Sequence, residues 1–278
     1  MAPVAPLVPL VHGAAMPQLG LGTWPMDDRQ AERAVAGAIE AGYRLFDTAE
    51  NYGNERGVGR GLRAGGAPRD ELFVTTKFNA EWHGVDLVAK AFDAAAGRLG
   101  VDYIDLLLVH WPNPGRNRYV DAWRGLSALL ADGRVRAVGT SNFKPAHLER
   151  IMTETGLVPD VNQIQLSPAV ARGPAVAFHT EHGIVTESWS PIGGQGLAVL
   201  DEPVIVELAD RHRRTPAQVV LRWHVQLGLV PIPKSGNPAR MAQNLDVFDF
   251  ELSDEDHAAV AALDRSESAA VDSDAFGH

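Results

Sequence analysis

The feature that most constrains the fold of this chain is a repeated alternation of two kinds of segment. Short runs of apolar and β-branched residues alternate with longer, alanine-rich segments whose apolar residues recur at helical spacing. This alternation is typical of parallel strands joined by crossover helices. The predicted strands are approximately residues 19–22, 44–47, 72–77, 104–110, 135–140, 161–164, 184–187 and 229–233.

Eight strand and helix units in succession favour a closed (β/α)8 TIM barrel of the α/β class, although an open doubly wound sheet remains the structural alternative. We predict a single domain over residues 1–278, with a capping hairpin within residues 1–17. Residues 264–278 are predicted to form a C-terminal loop over the active-site face. The predicted helices are approximately residues 28–41, 55–64, 86–99, 119–131, 145–155, 173–182, 217–226 and 238–244.

Composition excludes several classes of function. A formal net charge of −10 argues against a general nucleic-acid binder, because phosphate backbones recruit basic surfaces. The chain has no cysteine, which excludes disulfides, thiolate nucleophiles and cysteine-ligated metals. The first lysine or arginine is Arg29, and no apolar run reaches the roughly 18 residues of a membrane helix. We therefore expect a cytoplasmic protein, and we separately expect it to be a monomer.

Polar residues follow several predicted strands, where a barrel enzyme places its active site. Asp47, Lys77 and His110 each end a predicted strand, and Tyr52 lies in the loop after Asp47. A tyrosine is a weak acid at neutral pH, but an adjacent ammonium lowers its pKa. We therefore expect Tyr52 to donate a proton to a carbonyl oxygen and Lys77 to assist it. Each residue alone is compatible with a structural role, whereas the four together favour catalysis.

Several ordered motifs in this sequence resemble the aldo-keto reductase superfamily, in particular its prokaryotic members similar to 2,5-diketo-D-gluconic acid reductase. The first is Gly-Tyr-Arg-Leu-Phe-Asp-Thr-Ala-Glu-Asn-Tyr-Gly-Asn-Glu, at residues 42–55. Thr-Lys, Val-His-Trp-Pro, Gly-Thr-Ser-Asn-Phe and Ile-Pro-Lys-Ser follow in the expected order. The resemblance covers nearly the whole chain. It implies a (β/α)8 barrel with a catalytic tetrad at Asp47, Tyr52, Lys77 and His110.

The resemblance also implies NADPH bound without a Rossmann domain. Ser141, Asn142 and Gln163 would bond the nicotinamide carboxamide, and Trp189, where many relatives have tyrosine, would stack on the ring. A group that follows the last strand would clasp the adenosine 2′-phosphate. The full implied cofactor set is Thr23, Trp24, Asp47, Ser141, Asn142, Gln163, Trp189, Lys234, Ser235, Arg240 and Asn244.

Aromatic side chains are expected to line the substrate pocket and to favour a small carbonyl compound. Gln165 and Ser167 stand where relatives have glutamate and histidine, and the segment after Lys77 also departs from them, so no single substrate follows. The expected pocket residues are Trp24, Tyr52, Phe78, Trp82, His110 and Trp111, with Phe276 of the tail as a further candidate.

Three other features are interpreted as structural. Gly57, Gly59 and Gly61 lie within a predicted helix and are expected to pack closely, since no strand precedes them as in a phosphate-binding loop. His179 and His182 lack a third ligand, so we expect no metal site. Ser253 is predicted to be the N-cap of a helix.

Two other functions remain open. The first is a non-catalytic NADP(H) sensor or regulatory subunit on the same barrel. The second is a barrel hydrolase that uses a pair of acids, against which Asp47 lacks an obvious carboxylate partner at a strand end.

Overall fold

A computed structural model describes residues 5–194 and 197–277 of the chain. An antiparallel hairpin of β1 (Leu7–Pro9) and β2 (Ala15–Pro17) comes first. Residues 1–4 of the predicted N-terminal segment and residue 278 of the tail lie outside the described residues. An eight-stranded sheet follows. Its strands are β3 (Leu21–Gly22), β4 (Leu45–Asp47), β5 (Phe73–Phe78), β6 (Ile104–Val109), β7 (Val135–Ser141), β8 (Val161–Gln165), β9 (Val185–Trp189) and β10 (Val230–Pro231).

The sheet closes into a barrel. Each strand pairs in parallel with the next one along the chain, from β3 to β10. Beyond the last pair, the Gly20 amide donates to the Pro231 carbonyl at 3.1 Å, and the Gly22 amide donates to the Pro233 carbonyl at 3.2 Å. These bonds join the first and last barrel strands, so the predicted barrel is confirmed and the open sheet is wrong.

The crossover helices pack around the barrel where the apolar spacing predicts them, with one helix that the prediction missed. That helix is α7, whose opening Val-Ile-Val reads as β-prone, yet Ile205, Leu208 and Ala209 bury one helical face. The helices are α1 (Asp28–Ala41), α2 (Glu55–Ala64), α3 (Val85–Leu99), α4 (Tyr119–Ala131), α5 (Pro145–Thr155), α6 (Gly173–Glu181), α7 (Pro203–His212), α8 (Pro216–Gln226), α9 (Pro238–Leu245) and α10 (Asp254–Ala261).

The N-terminal hairpin lies at the end of the barrel where the strands begin. Leu10 and Met16 join the buried cluster of the barrel interior. The His12 ring bonds Asp160, directly before β8, at 2.9 Å. The hairpin therefore covers the amino ends of the strands and leaves the carboxyl ends available for a site.

Two predicted structural features are confirmed. A Cβ at Gly57 would lie 2.0 Å from the Asp28 carbonyl oxygen, and one at Gly59 would lie 1.9 Å from that of Leu99. These glycines therefore allow α2 to approach its neighbouring helices closely. Ser253 is the N-cap of α10, since its hydroxyl accepts from the Asp256 amide at 3.2 Å.

None of the helices in the described part of the chain has the length and apolar character needed to cross a membrane.

Candidate active site

The strand ends bring together three of the four predicted catalytic side chains in one hydrogen-bonded group. Asp47 is the last residue of β4, Lys77 lies near the end of β5, and Tyr52 ends a short 3-10 turn after β4. The Lys77 ammonium lies 2.7 Å from Asp47 Oδ1 and 3.3 Å from Tyr52 Oη. It also donates to the Thr48 carbonyl at 2.9 Å. The ammonium thus joins an acid, a phenol and the backbone of the loop between them.

Burial dominates the electrostatics of this group. It raises the pKa of Tyr52, and the lowering effect of Lys77 does not overcome it, partly because Asp47 acts in the opposite direction. The expectation of a lowered tyrosine pKa is therefore wrong. Burial alone would lower the pKa of Lys77, but Asp47 and Tyr52 raise it above its ordinary value. At neutral pH the site thus holds a protonated phenol beside a charged ammonium.

His110 follows the last residue of β6 and lies beside Tyr52. The two ring centroids are 6.0 Å apart in an edge-to-face arrangement. The His110 Nδ1 lies 3.2 Å from the Oδ1 of Asn79, a buried side chain that the sequence analysis did not select. Asn79 directly follows β5, so its position at a strand end was the available signal.

Asn142 connects three strand ends. Its Nδ2 donates to the His110 carbonyl at 3.2 Å and to Ser141 Oγ at 3.0 Å, and its Oδ1 accepts from Trp189 Nε1 at 2.9 Å. Its φ of 62° lies in the left-handed region, which asparagine adopts more readily than most residues. The predicted carboxamide-binding residues Ser141 and Asn142 therefore lie beside His110 and Trp189.

A second carboxyl group, that of Glu187, lies close to Asp47. Gln163 donates from Nε2 to Asp47 Oδ2 at 2.8 Å and to Glu187 Oε2 at 2.7 Å. The statement that Asp47 lacks a carboxylate partner at a strand end is therefore wrong, because Glu187 also lies near a strand end. The pair does not resemble a hydrolase acid pair, however, since Lys77 neutralises Asp47 and an amide separates the two acids.

A cavity of about 660 Å³ opens at this end of the barrel. Many of the residues predicted for catalysis, for the cofactor and for the substrate contribute to its wall. Those are Thr23, Trp24, Asp47, Tyr52, His110, Trp111, Ser141, Asn142, Gln163, Trp189, Lys234 and Phe276.

Two residues expected in the substrate pocket are not part of this wall. Phe78 is buried in the main hydrophobic core, and its ring faces His83 edge-on. Trp82 donates from its indole nitrogen to Glu50 at 2.9 Å. Phe78 adjoins Lys77 in β5, so its side chain points to the opposite face of the strand, and the bond to Glu50 holds Trp82 away from the cavity.

The C-terminal tail forms part of the wall, as the predicted loop over the active-site face requires. Phe276 lies edge-on to Trp111 with ring centroids 4.9 Å apart. The Val271 amide donates to Gln165 Oε1 at 2.8 Å, and Lys144 lies 2.6 Å from both Asp272 and Asp274. Gln165, one of the departures from the family pattern, is thus a contact that holds the tail.

A second cavity, of about 410 Å³, lies between α1 and α9, and Lys234 lines both cavities. Arg240 is exposed in the first turn of α9, and the Ser235 hydroxyl accepts from the Asn237 amide at 3.2 Å. Among the described residues, neither Lys234 nor Arg240 forms an ion pair. Asn244 is buried and lines neither cavity.

These residues fit an extended dinucleotide. Hydrogen-bonding side chains and the half-buried Trp189 suit a nicotinamide at the deep end, and two cations near the start of a helix suit a phosphate.

His179 has a structural environment, since it is buried and bonded to Asn162 and Thr186 at 2.9 and 2.8 Å. The described residues contain no group of three or more histidine, aspartate or glutamate side chains placed to hold a metal ion.

Fold and site together define a parallel α/β barrel that carries a buried acid, a buried lysine, a tyrosine and a histidine at the carboxyl ends of its strands. Comparison with known proteins makes this assignment more specific. The sequence profile of the Aldo/keto reductase family matches residues 10–265. The chain therefore belongs to the aldo/keto reductase family and is an oxidoreductase, as the sequence motifs predict.

Individual relatives agree over nearly the whole length of the chain. An aldo-keto reductase of Mycolicibacterium smegmatis is 48% identical over 261 residues, which cover 94% of each chain. Methylglyoxal reductase DkgA of Yersinia pestis is 45% identical and covers 98% of each chain. A mutant of Gox0644, solved in complex with NADPH, superposes with a TM-score of 0.93 at 42% identity and covers 99% of this chain and 100% of that chain.

Proposed function

We propose that this protein reduces small aldehydes and ketones to alcohols with NADPH. The observation that carries the proposal is the geometry of Tyr52, whose hydroxyl lies 3.3 Å from the Lys77 ammonium at the wall of the cavity. Asp47 in turn holds the ammonium at 2.7 Å. This arrangement supports a phenol that releases its proton only to a strongly basic oxygen.

NADPH, when bound, supplies the hydride that reaches the carbonyl carbon. Tyr52 gives its proton to the carbonyl oxygen, so that the carbonyl gains a hydride and a proton and becomes an alcohol. The Lys77 ammonium stabilises the phenolate that remains. His110 lies beside the phenol and orients the substrate oxygen.

Five of the residues that would hold NADPH lie on or beyond β7 to β10, and all five except Arg240 line the cavity at the carboxyl ends of the strands. Ser141 and Gln163 would bond the carboxamide, and Trp189 would stack against the ring. Lys234 and Arg240 would bind the 2′-phosphate that distinguishes NADPH from NADH. The NADPH complex of the Gox0644 mutant supports this choice.

The substrate wall favours a small carbonyl compound of low charge. Trp24, Trp111 and Phe276 line the cavity together with the catalytic group. Methylglyoxal, the substrate in the name of the DkgA relative, is small enough for this cavity and supports an α-oxoaldehyde among the substrates.

That the protein is a monomer and acts in the cytoplasm stays our prediction.

The direct test is the loss of NADPH absorbance when the purified protein meets methylglyoxal and a panel of aromatic and aliphatic aldehydes. We expect turnover with several of them. Binding of NADPH without turnover of any carbonyl would instead indicate the non-catalytic sensor.

In R240A, we expect the ratio of NADPH to NADH affinity to fall at least about tenfold, since a charge-assisted phosphate bond is lost. An unchanged ratio would remove Arg240 from the cofactor site.

A further inference from the structure

Glu187 is a buried acid that the mechanism above does not use. It lies on β9 directly opposite Gln163 of β8 in the parallel register, and its side chain is inaccessible to solvent. Within residues 5–194 and 197–277, its Oε1 has no hydrogen-bond partner. Burial of a carboxyl group costs free energy unless its polar atoms are bonded. The one hydrogen bond of Glu187, to Gln163, therefore indicates what the residue does.

The contact fixes the orientation of the Gln163 amide. Its Nε2 lies 2.8 Å from one oxygen of Asp47 and 2.7 Å from one oxygen of Glu187. An amide nitrogen carries two hydrogens, and each is directed to a different acceptor. A reversed amide would place its carbonyl oxygen against the carboxylate oxygen of Asp47. Two acceptors therefore hold the amide both against reversal and against rotation.

Because Nε2 of Gln163 is already bonded twice, only its carbonyl oxygen, Oε1, is available to bind a ligand. Gln163 lines the cavity beside Ser141, and its Oε1 accepts no hydrogen bond from the described residues. We propose that Glu187 is a positioning residue that holds Gln163 so that Oε1 is presented, as an acceptor, to the carboxamide NH2 of the bound nicotinamide. This inference rests on the proposed use of a nicotinamide cofactor.

The charge state of Glu187 agrees with a role as an acceptor of hydrogen bonds. Burial, assisted by the nearby Asp47, raises the pKa of Glu187 to about 8, although Gln163 and Lys77 oppose this shift. At neutral pH the acid is then largely protonated, and its second oxygen still accepts from Gln163. A glutamine at this position would have the same shape, charge and acceptor.

Two conservative variants separate the reach of the side chain from its ability to ionise. E187Q keeps the length and the acceptor oxygen but cannot ionise, whereas E187D keeps the acid but withdraws its oxygens by one methylene. We expect the Kd for NADPH, measured by quenching of tryptophan fluorescence, to stay within about twofold in E187Q. In E187D we expect it to rise about tenfold, which corresponds to about 1.4 kcal/mol.

A double-mutant cycle supplies the control. In a Q163M background, the difference between E187Q and E187D should disappear, because no amide is left to orient. A wild-type Kd in E187D, a loss in E187Q that equals or exceeds the loss in E187D, or a difference that persists with Q163M would each overturn the proposal. If the wild-type protein itself bound no NADPH, the proposed function would fail instead.

Discussion

At the scale of single residues, desolvation dominates the electrostatics of the group formed by Asp47, Tyr52 and Lys77. The ammonium of Lys77 and the carboxylate of Asp47 are both buried, at 2.7 Å from each other. Each charge is tolerated only because the other is present, since an unpaired buried charge is expensive. The same burial keeps the proton on Tyr52 at neutral pH. The site therefore consists of a buried ion pair beside a protonated phenol.

Removal of one partner of this pair should be more destabilising than removal of both. We expect K77M to lower the free energy of unfolding by about 3 to 5 kcal/mol, because Asp47 is left buried without its counter-charge. The double variant D47N/K77M should lose less than K77M alone. Urea unfolding of the three proteins measures both values. A K77M protein as stable as the wild type would contradict the paired-charge description.

The raised pKa of Glu187 should appear in the pH dependence of stability. Its ordinary value is 4.5 and its folded value is about 8, so between these pH values the folded state binds more protons than the unfolded state. Stability therefore falls as pH rises. Between about pH 6.5 and 8, we expect Glu187 to contribute a loss of about 1 to 2 kcal/mol. The buried histidines, whose pKa values burial lowers from 6.5, oppose this loss equally in E187Q, so the quantity to measure is the difference between the wild type and E187Q. An equal pH dependence in the two proteins would assign the effect to another group.

The sequence indicated the residues at strand ends but not their partners. Asp47, Lys77 and His110 were visible because each ends an apolar run, and Tyr52 because it follows the first of them. Glu187 ends a predicted strand as well, yet its closeness to Asp47 depends on the curvature of the barrel and on the length of the Gln163 side chain. Contacts of this kind join distant segments, so spacing along the chain does not reveal them.

At the scale of secondary structure elements, close helix packing sets the position of the loop that carries Tyr52. α2 begins shortly after that loop, and its glycines press against the backbone of α1 and α3. The helical periodicity predicted α2 and the packing role of its glycines correctly. It missed α7, because β-branched residues at the start of that helix obscure a face that tertiary packing buries.

Gly59 offers a test of this packing with a matched control in the neighbouring helix. In G59A the new methyl group would meet the Leu99 carbonyl at 1.9 Å, so α2 must move away from α3. We expect a loss of at least about 2 kcal/mol, measured by thermal unfolding. G97A, in α3, meets nothing within 4 Å and should gain up to about 1 kcal/mol from helix propensity. Equal stabilities of the two variants would contradict the close approach.

At the scale of the whole molecule, the two ends of the chain close the two ends of the barrel. The hairpin covers the amino ends of the strands, and the tail completes the wall of the cavity at the carboxyl ends. The sequence predicted both segments by position, but the contacts of the tail with Gln165, Lys144 and Trp111 are set by the folded barrel.

Phe276 provides a test of the role of the tail. In F276A the cavity wall loses one aromatic ring and Trp111 loses its aromatic contact. We therefore expect an aromatic aldehyde to lose about 1 kcal/mol of binding free energy, which corresponds to a roughly fivefold rise in its KM. The Kd for NADPH should not change. V206A, which alters an exposed residue of α7, serves as the control. An unchanged KM in F276A would show that the tail does not contact the substrate.

The most direct measurement of the central claim is the turnover of Y52F with NADPH and a reducible aldehyde, together with its Kd for NADPH. Phenylalanine keeps the ring but has no proton to give. We predict a turnover reduced about 100- to 10,000-fold, with the Kd for NADPH within about twofold of the wild-type value. Turnover close to that of the wild type would show that Tyr52 is not the proton donor.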